Sequence, residues 1–246
     1  MYLTGRSGTT VVIEDIAFPV PRLAEGTVEL QQLFAQHGYD GAIIFGHALE
    51  GNLHFVITPD FGDLAEVARY HAFMDALCRM VVDKYDGSLK AEHSTGRNIA
   101  PYVELEWGAE AYSLMRRIKA LLDPQGLLNP GVILNDDAEV HVKNLKSMAA
   151  VDPLVDRCIE CGFCEPVCPS RELTLSPRQR VVVLREQARL QAAGETHAPL
   201  LDAAFDYAVE KTCAGDGLCA IRCPVGIDTG QMVRELRAAK SGELGK

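Results

Sequence analysis

Cys158, Cys161, Cys164 and Cys168 form a C-x2-C-x2-C-x3-C run closed by Pro169. Three thiolates at intervals of three can wrap one cubane of iron, a metal that accepts soft sulfur ligands. Gly162 gives the backbone freedom to turn tightly around it. The fourth cysteine of such a run normally serves a different cluster, so a second ligand set is predicted. Cys213, Asp216, Cys219 and Cys223 supply it, reading C-x2-D-x2-C-x3-C with Pro224 behind and Asp216 where a second cysteine would stand. In a crossed arrangement, Cys158, Cys161, Cys164 and Cys223 hold one 4Fe-4S cluster. Cys168, Cys213 and Cys219 hold the other, with Asp216 as its fourth ligand. Aspartate is a harder ligand than thiolate. The expectation is a four-iron second cluster with one oxygen ligand, the alternative being a 3Fe-4S cluster with an empty corner. Zinc loops usually present C-x2-C pairs split by a longer spacer, and disulfides need an oxidising compartment.

The chain has 246 residues, 48% hydrophobic and 24% charged, with room for one large or two modest domains. Net charge is 24 − 34, or −10, which disfavours nucleic acid because no basic stripe is present to neutralise phosphates. The N-terminal residues carry no apolar signal core, and no stretch reaches the roughly 18 apolar residues of a membrane span. The expected setting is a reducing cytoplasm, at the inner face of the membrane. The eighth cysteine, Cys78, sits in a helical pattern and reads as a small buried hydrophobe.

Along the chain, Thr9 to Asp15 is rich in β-branched residues and predicts a strand. A helix is expected over Arg22 to His37, strands over Ala42 to Phe45 and Leu53 to Thr58, and a long helix over Asp63 to Tyr85. A further helix is expected over Ala109 to Leu122, ended by Asp123-Pro124, then a loop and a short extended piece over Val132 to Leu134. This order predicts an α+β, ferredoxin-like antiparallel domain over 1–135. A polar linker, 136–150, leads to a small all-α domain over 151–246. There Ser176-Pro177 caps a helix that Gly194 stops, a second helix covers Leu200 to Lys211, and a third Thr229 to Lys240.

Two polar runs in the first half complete the inventory. His47 and His54 stand seven apart across a glycine-containing turn, and Glu92-His93 follow later. Two histidines and a carboxylate suit a divalent metal: zinc, manganese or iron. His71, His141 and His197 have no such company and read as ordinary histidines.

The G-H-x-x-x-G-N-x-H run at Gly46, the E-H-x-x-G run at Glu92 and the L-L-N-P-G loop at Leu127 together resemble the C-terminal cap domain of FAD-linked D-2-hydroxyacid dehydrogenases. The cysteine half resembles the dicluster ferredoxin domain fused to such flavoproteins, where the second motif also reads C-x-x-D-G-L-C. The resemblance implies that His47, His54 and Glu92 are metal ligands, that His93 lies beside the flavin as the base taking the substrate's hydroxyl proton, and that Asn129 lies in a flavin-facing loop. It implies FAD, two iron–sulfur clusters and a divalent metal as cofactors. The implied partners are an FAD-binding domain or subunit, a small 2-hydroxy acid, D-lactate foremost, and a quinone, cytochrome or electron-transfer flavoprotein as acceptor.

Glu50 stands where the family more often has aspartate, Ser94 where it has glycine, and Val56 where some members place a substrate-binding asparagine. These departures leave the substrate open. Nothing here resembles the family's FAD-binding domain, and the substrate-binding arginine before the first cap strand would precede Met1. The chain is therefore expected to be a fragment, inactive without its FAD-binding domain. The competing readings are a non-catalytic iron–sulfur electron-transfer subunit and a zinc-stabilised interaction module.

Overall fold

The computed structural model describes residues 7–195 and 205–243. Val11–Lys146 pack as one compact unit, and the residues from Ser147 onward belong to a second.

The first unit is built on three strands, β1 (Val12–Ala17), β2 (Ile43–His47) and β3 (Asn52–Ile57), in the order β1-β3-β2 and antiparallel throughout. The central strand β3 is buried at every position, so Asn52 and His54 go inside with Leu53, Phe55 and Ile57. β1 starts three residues after the expected Thr9 and runs two past Asp15. Aspartate is disfavoured in strands, but here Glu14 and Asp15 are buried and both pair with Lys90.

Two helices, α1 (Leu23–Gln36) and α2 (Leu64–Arg79), cover the sheet. Asp63 caps α2 by accepting the Ala65 N–H at 2.8 Å. Beyond Arg79 the expected helix widens into a π turn, Met80–Lys84. Phe34, Phe55 and Phe73, one from each of α1, β3 and α2, meet at centroid separations of 5.5 to 5.9 Å and form the middle of the core. Cys78 is fully buried in that core, and burial pushes its thiol pKa up, as a structural cysteine requires.

A fourth strand of a ferredoxin-like unit would lie beside β1. That edge is instead followed by the irregular segment 88–93, joined to it by a single antiparallel bridge, Ala17–Ser88. A short helix α3 (Gly96–Ile99) then leads to α4 (Val103–Leu122). Gly108, with φ 79° and ψ 160°, splits α4, and the piece after it is the helix expected from Ala109. Val132 to Leu134 are not extended. Asn129 and Gly131 take positive φ (42° and 73°), and the Asn135 side chain donates to the Gly131 carbonyl at 2.9 Å, so the segment folds on itself. Residues 140–142 form a 3-10 turn whose Val140 and His141 are buried in this unit.

The second unit has helices α5 (Pro177–Ala192), α6 (Leu218–Arg222) and α7 (Thr229–Glu243), with a π turn over Asp206–Lys211. Ser176 and Gln179 form a reciprocal capping box at the start of α5, as Ser176-Pro177 predicts. The expected helix from Leu200 begins outside the described residues, as does His197. The apolar core is small: Val155, Val181, Ile227, Met232 and Val233 are buried, and Cys158, Cys213 and Cys223 pack against them. Among the described residues, no helix is long and apolar enough to cross a membrane.

Candidate metal and iron–sulfur centres

His47 ends β2 and His54 sits in mid-β3, so one hairpin carries both. Its closure depends on two glycines. A Cβ on Gly46 would lie 2.2 Å from the Asn52 carbonyl oxygen, and one on Gly51, at φ 68°, would lie 2.1 Å from that of Phe18. Side chains at either position would force the strands or the neighbouring turn apart. The third participant, Glu92, arrives from the segment along the β1 edge. Its Oε1 lies 2.8 Å from His54 Nε2, 3.5 Å from His47 Nε2 and 3.6 Å from His93 Nε2.

Ligand atoms of His47, His54 and Glu92 all fall within 4.8 Å of one another. His54 is held rigidly: its side chain is 4% exposed, stacked between the Phe45 and His93 rings at 5.1 and 4.7 Å. His47 and Glu92, at 61% and 46%, open to solvent. Two imidazoles and a carboxylate at one point, buried on one side and open on the other, suit a zinc-, manganese- or iron-type cation with free coordination positions. The residues therefore fit the divalent metal expected from sequence.

Asn129 lines a different cavity, an apolar groove that it shares with Trp107, Ile118, Leu122, Leu128 and Ile133. Its floor is fixed by Asp123, which accepts the N–H groups of Leu127 and Leu128 at 2.9 and 2.8 Å and pairs with Lys119 at 2.6 Å. The Lys119 and backbone hydrogen bonds hold the Asp123 carboxyl down to about 2. Trp107, Leu122 and Leu128 are more than half exposed along this groove.

In the second unit the two cysteine loops interleave. Cys168, Cys213, Asp216 and Cys219 line one cavity, with Arg180, Thr229 and Gly230. Cys168 from the first run thus shares a cavity with three positions of the second. Asp216 is exposed, and one of its oxygens accepts the Leu218 N–H at 3.1 Å. On the other side Cys158 is near enough to Cys223 and Cys164 for their charges to be felt. Burial pushes the thiols of Cys158 and Cys219 up, and that of Cys164 up to about 11. Iron binding must expel these protons, because the thiolate is the ligand. Gly162, at φ 83°, provides the expected tight turn, and Glu160 beside it also takes positive φ, 56°.

Sequence reasoning missed the arginines that hold these loops. Arg185 is 3% exposed and donates to the carbonyls of Asp156 and Cys158, both at 3.1 Å, and to Glu160 at 2.8 Å. Arg180, 1% exposed, donates to the Val209 carbonyl at 3.0 Å and to Thr212 Oγ1 at 3.2 Å, with Nη1 3.9 Å from Cys168 Sγ. The available signal was their place on the apolar stripe of α5, beside Pro177 and Val181. His71 and His141 were also misread as solitary. His71 Nδ1 and His141 Nε2 are 2.8 Å apart, which no spacing of seventy residues could announce.

The family described as FAD linked oxidases, C-terminal domain, matches residues 1–133. The chain belongs to that FAD-linked oxidase family. The 4Fe-4S dicluster domain family matches residues 154–227, which contain all seven cysteines of the two runs. Within the FAD-linked oxidase family, the chain is 34% identical over 129 residues to a probable mitochondrial D-lactate dehydrogenase of Danio rerio, covering 52% of this chain and 26% of that protein. It is 31% identical over 134 residues to the glycolate oxidase subunit GlcD of Bacillus subtilis, covering 54% and 28%. It is 31% identical over 212 residues to a D-2-hydroxyglutarate dehydrogenase of Pantoea ananatis, covering 76% and 20%. The chain thus spans a fifth to just over a quarter of the length of these curated relatives.

Proposed function

We propose that this chain is the cap and electron-exit part of an FAD- and iron–sulfur-dependent D-2-hydroxyacid dehydrogenase, acting on D-lactate. On this reading residues 1–135 are the cap, 136–150 the connection and 151–246 the cluster domain. The observation that carries the proposal is the meeting of His47, His54 and His93 on one oxygen of Glu92, in a chain that also carries a dicluster domain.

His47, His54 and Glu92 would hold the divalent metal, which supplies Lewis acidity toward the substrate's hydroxyl and carboxylate. FAD supplies a hydride acceptor, and the clusters supply single-electron carriers. His93 is 45% exposed beside the metal ligands, so a ring nitrogen of it can take the hydroxyl proton. Buried His54 fixes the geometry around which the other two ligands close. The groove of Trp107, Leu122 and Leu128, with Asn129 on its rim, is the face offered to the flavin-bearing part. Cys158, Cys161, Cys164 and Cys223 would carry one cluster. Cys168, Cys213, Cys219 and Asp216 would carry the other, passing electrons to a quinone, cytochrome or flavoprotein acceptor.

D-2-hydroxyglutarate is the second substrate reading. It is favoured by the match to the Pantoea ananatis protein, which reaches across 76% of this chain rather than half of it. The test combines the anaerobically reconstituted chain with its flavin-bearing part and follows dye reduction by each D-2-hydroxy acid. Turnover of D-lactate that is lost in Glu92→Gln supports the proposal. Turnover of D-2-hydroxyglutarate alone replaces the substrate. Absence of both, or electron flux unchanged in Glu92→Gln, refutes the catalytic reading in favour of a non-catalytic electron-transfer subunit.

A further inference from the structure

Asp15 stands on β1 directly opposite His54 in the β1–β3 pairing. It is fully buried, and a buried carboxylate is costly unless its oxygens are satisfied. One oxygen, Oδ2, accepts three backbone N–H groups in succession: Ala91 at 3.0 Å, Glu92 at 2.6 Å and His93 at 3.2 Å. The other, Oδ1, lies 3.3 Å from Lys90 Nζ and takes no hydrogen bond. Across the strand pair His54 also has an unsatisfied buried atom, Nδ1. Ligand atoms of Asp15, His54 and His93 lie within 4.8 Å of one another, sharing His54 with the His47–His54–Glu92 set.

The segment bearing Glu92 and His93 has no strand ladder to hold it; a single bridge at Ser88 is its backbone link to β1. Its register against the hairpin histidines therefore rests on side chains of β1: Glu14 and Asp15 both take the Lys90 ammonium, and Asp15 alone takes the Ala91–His93 backbone N–H groups. We propose that Asp15 is the positioning residue of the metal-binding site, gathering the Ala91–His93 backbone so that the Glu92 carboxylate and the His93 ring face His54. This rests on the reading that His47, His54 and Glu92 bind a divalent cation. Partners of this kind, one shell out from the ligands, typically change metal affinity by about 10–100-fold.

The experiment titrates the full chain, clusters reconstituted, with Mn2+ alone and reads bound metal by electron paramagnetic resonance. Mn2+ is chosen because it prefers oxygen and nitrogen to the thiolates of the second unit. Asp15→Ala is expected to weaken Mn2+ binding about 10–100-fold, and Asp15→Asn, which keeps an acceptor oxygen but not the charge facing Lys90, less so. The control is Ile16→Ala, the next residue on the same strand, 1% exposed in the core. It lowers the melting temperature while leaving the Asp15 carboxylate and the N–H groups it accepts in place, and is expected to leave Mn2+ affinity within about twofold of the unaltered chain. If either folded Asp15 variant binds Mn2+ as tightly as the unaltered chain, the proposal is overturned. It is overturned equally if Ile16→Ala loses affinity in step with Asp15→Ala. Should Asp15→Ala fail to fold, Asp15→Asn decides alone. An unaltered chain that binds no Mn2+ at all removes the metal reading itself, a result distinct from both.

Discussion

His141 is the acid-sensitive point of the first unit. It is 1% exposed, with Nε2 2.8 Å from His71 Nδ1 and 3.5 Å from the Tyr102 hydroxyl. Its Nδ1 is buried and has no hydrogen-bond partner, so a proton added there would find no acceptor. Burial, reinforced by His71, holds its pKa down to about 4 from 6.5, against the opposing pull of Glu139, Asp137 and Asp75. Above pH 6.5 both folded and unfolded chains keep this ring neutral, and it adds no pH dependence. As pH falls from 6.5 to about 4, the unfolded chain takes up a proton that the folded chain refuses, so stability is lost through that window. Below about 4 both forms are charged and the slope ends. At about 1.4 kcal/mol per decade of pH, the displacement is worth about 3 kcal/mol. His141→Gln keeps a group able to donate to His71 but cannot titrate. Trp107, the single tryptophan, lies on α4 and reports unfolding of this unit. Urea melts followed by its fluorescence from pH 7 to pH 4 are expected to show the unaltered chain losing about 3 kcal/mol more than His141→Gln. Every other group is common to both proteins, so its contribution cancels in the difference. Parallel pH profiles for the two proteins would refute the argument.

Two further perturbations test the centres directly. Gly46→Ala places a Cβ against the Asn52 carbonyl and must part β2 from β3. The expected loss is about 1–3 kcal/mol, read by thermal melting, together with weaker Mn2+ binding, since His47 and His54 sit on those two strands. An unchanged melting temperature would show that the strands do not approach so closely. Arg180→Gln removes a buried cation 3.9 Å from Cys168 Sγ. A hydrogen bond to a charged group contributes about 1.5 kcal/mol, or about 60 mV for one electron. The second cluster's potential should therefore fall by that order while the first cluster's stays put in a redox titration. Equal shifts in both clusters would count against the crossed ligand sets.

What could be read from the chain, and what could not, divides by the range of the interaction. The cysteine runs were legible because a cluster needs thiolates at short, fixed intervals, and the helix start at Ser176-Pro177 because a cap is a local hydrogen-bond problem. The His47–His54 pair was legible because one hairpin carries both. Asp15 was not. Aspartate is disfavoured in strands, so the expected strand stopped at it, and only the fold shows three N–H groups from residues 91–93 converging there. Arg180 and Arg185 escaped for a related reason. Arginine in an amphipathic helix usually marks the wet face, yet these two are the buried ones. The π turn after α2 and the unextended segment after Gly131 depend on packing and on Asn135, not on local propensity.

The residues that sequence could not place follow one electrostatic rule. At the histidine centre, proposed above for a cation, the loop is anchored through its N–H groups, and an anchor for N–H groups is an acceptor: the Asp15 carboxylate would add negative charge beside a bound cation. At the cysteine centres, meant for clusters bound by thiolates, the loops are anchored through their carbonyls, and an anchor for carbonyls is a donor. Arg185 holds the carbonyls of Asp156 and Cys158, and Arg237 those of Glu210 and Cys213. Each guanidinium would add positive charge beside an anionic cluster bound there. The choice of which backbone group to grip thus also sets the sign of the local field. An anchor swapped for an apolar residue of the same shape would loosen the loop and also leave the inorganic group's charge less balanced.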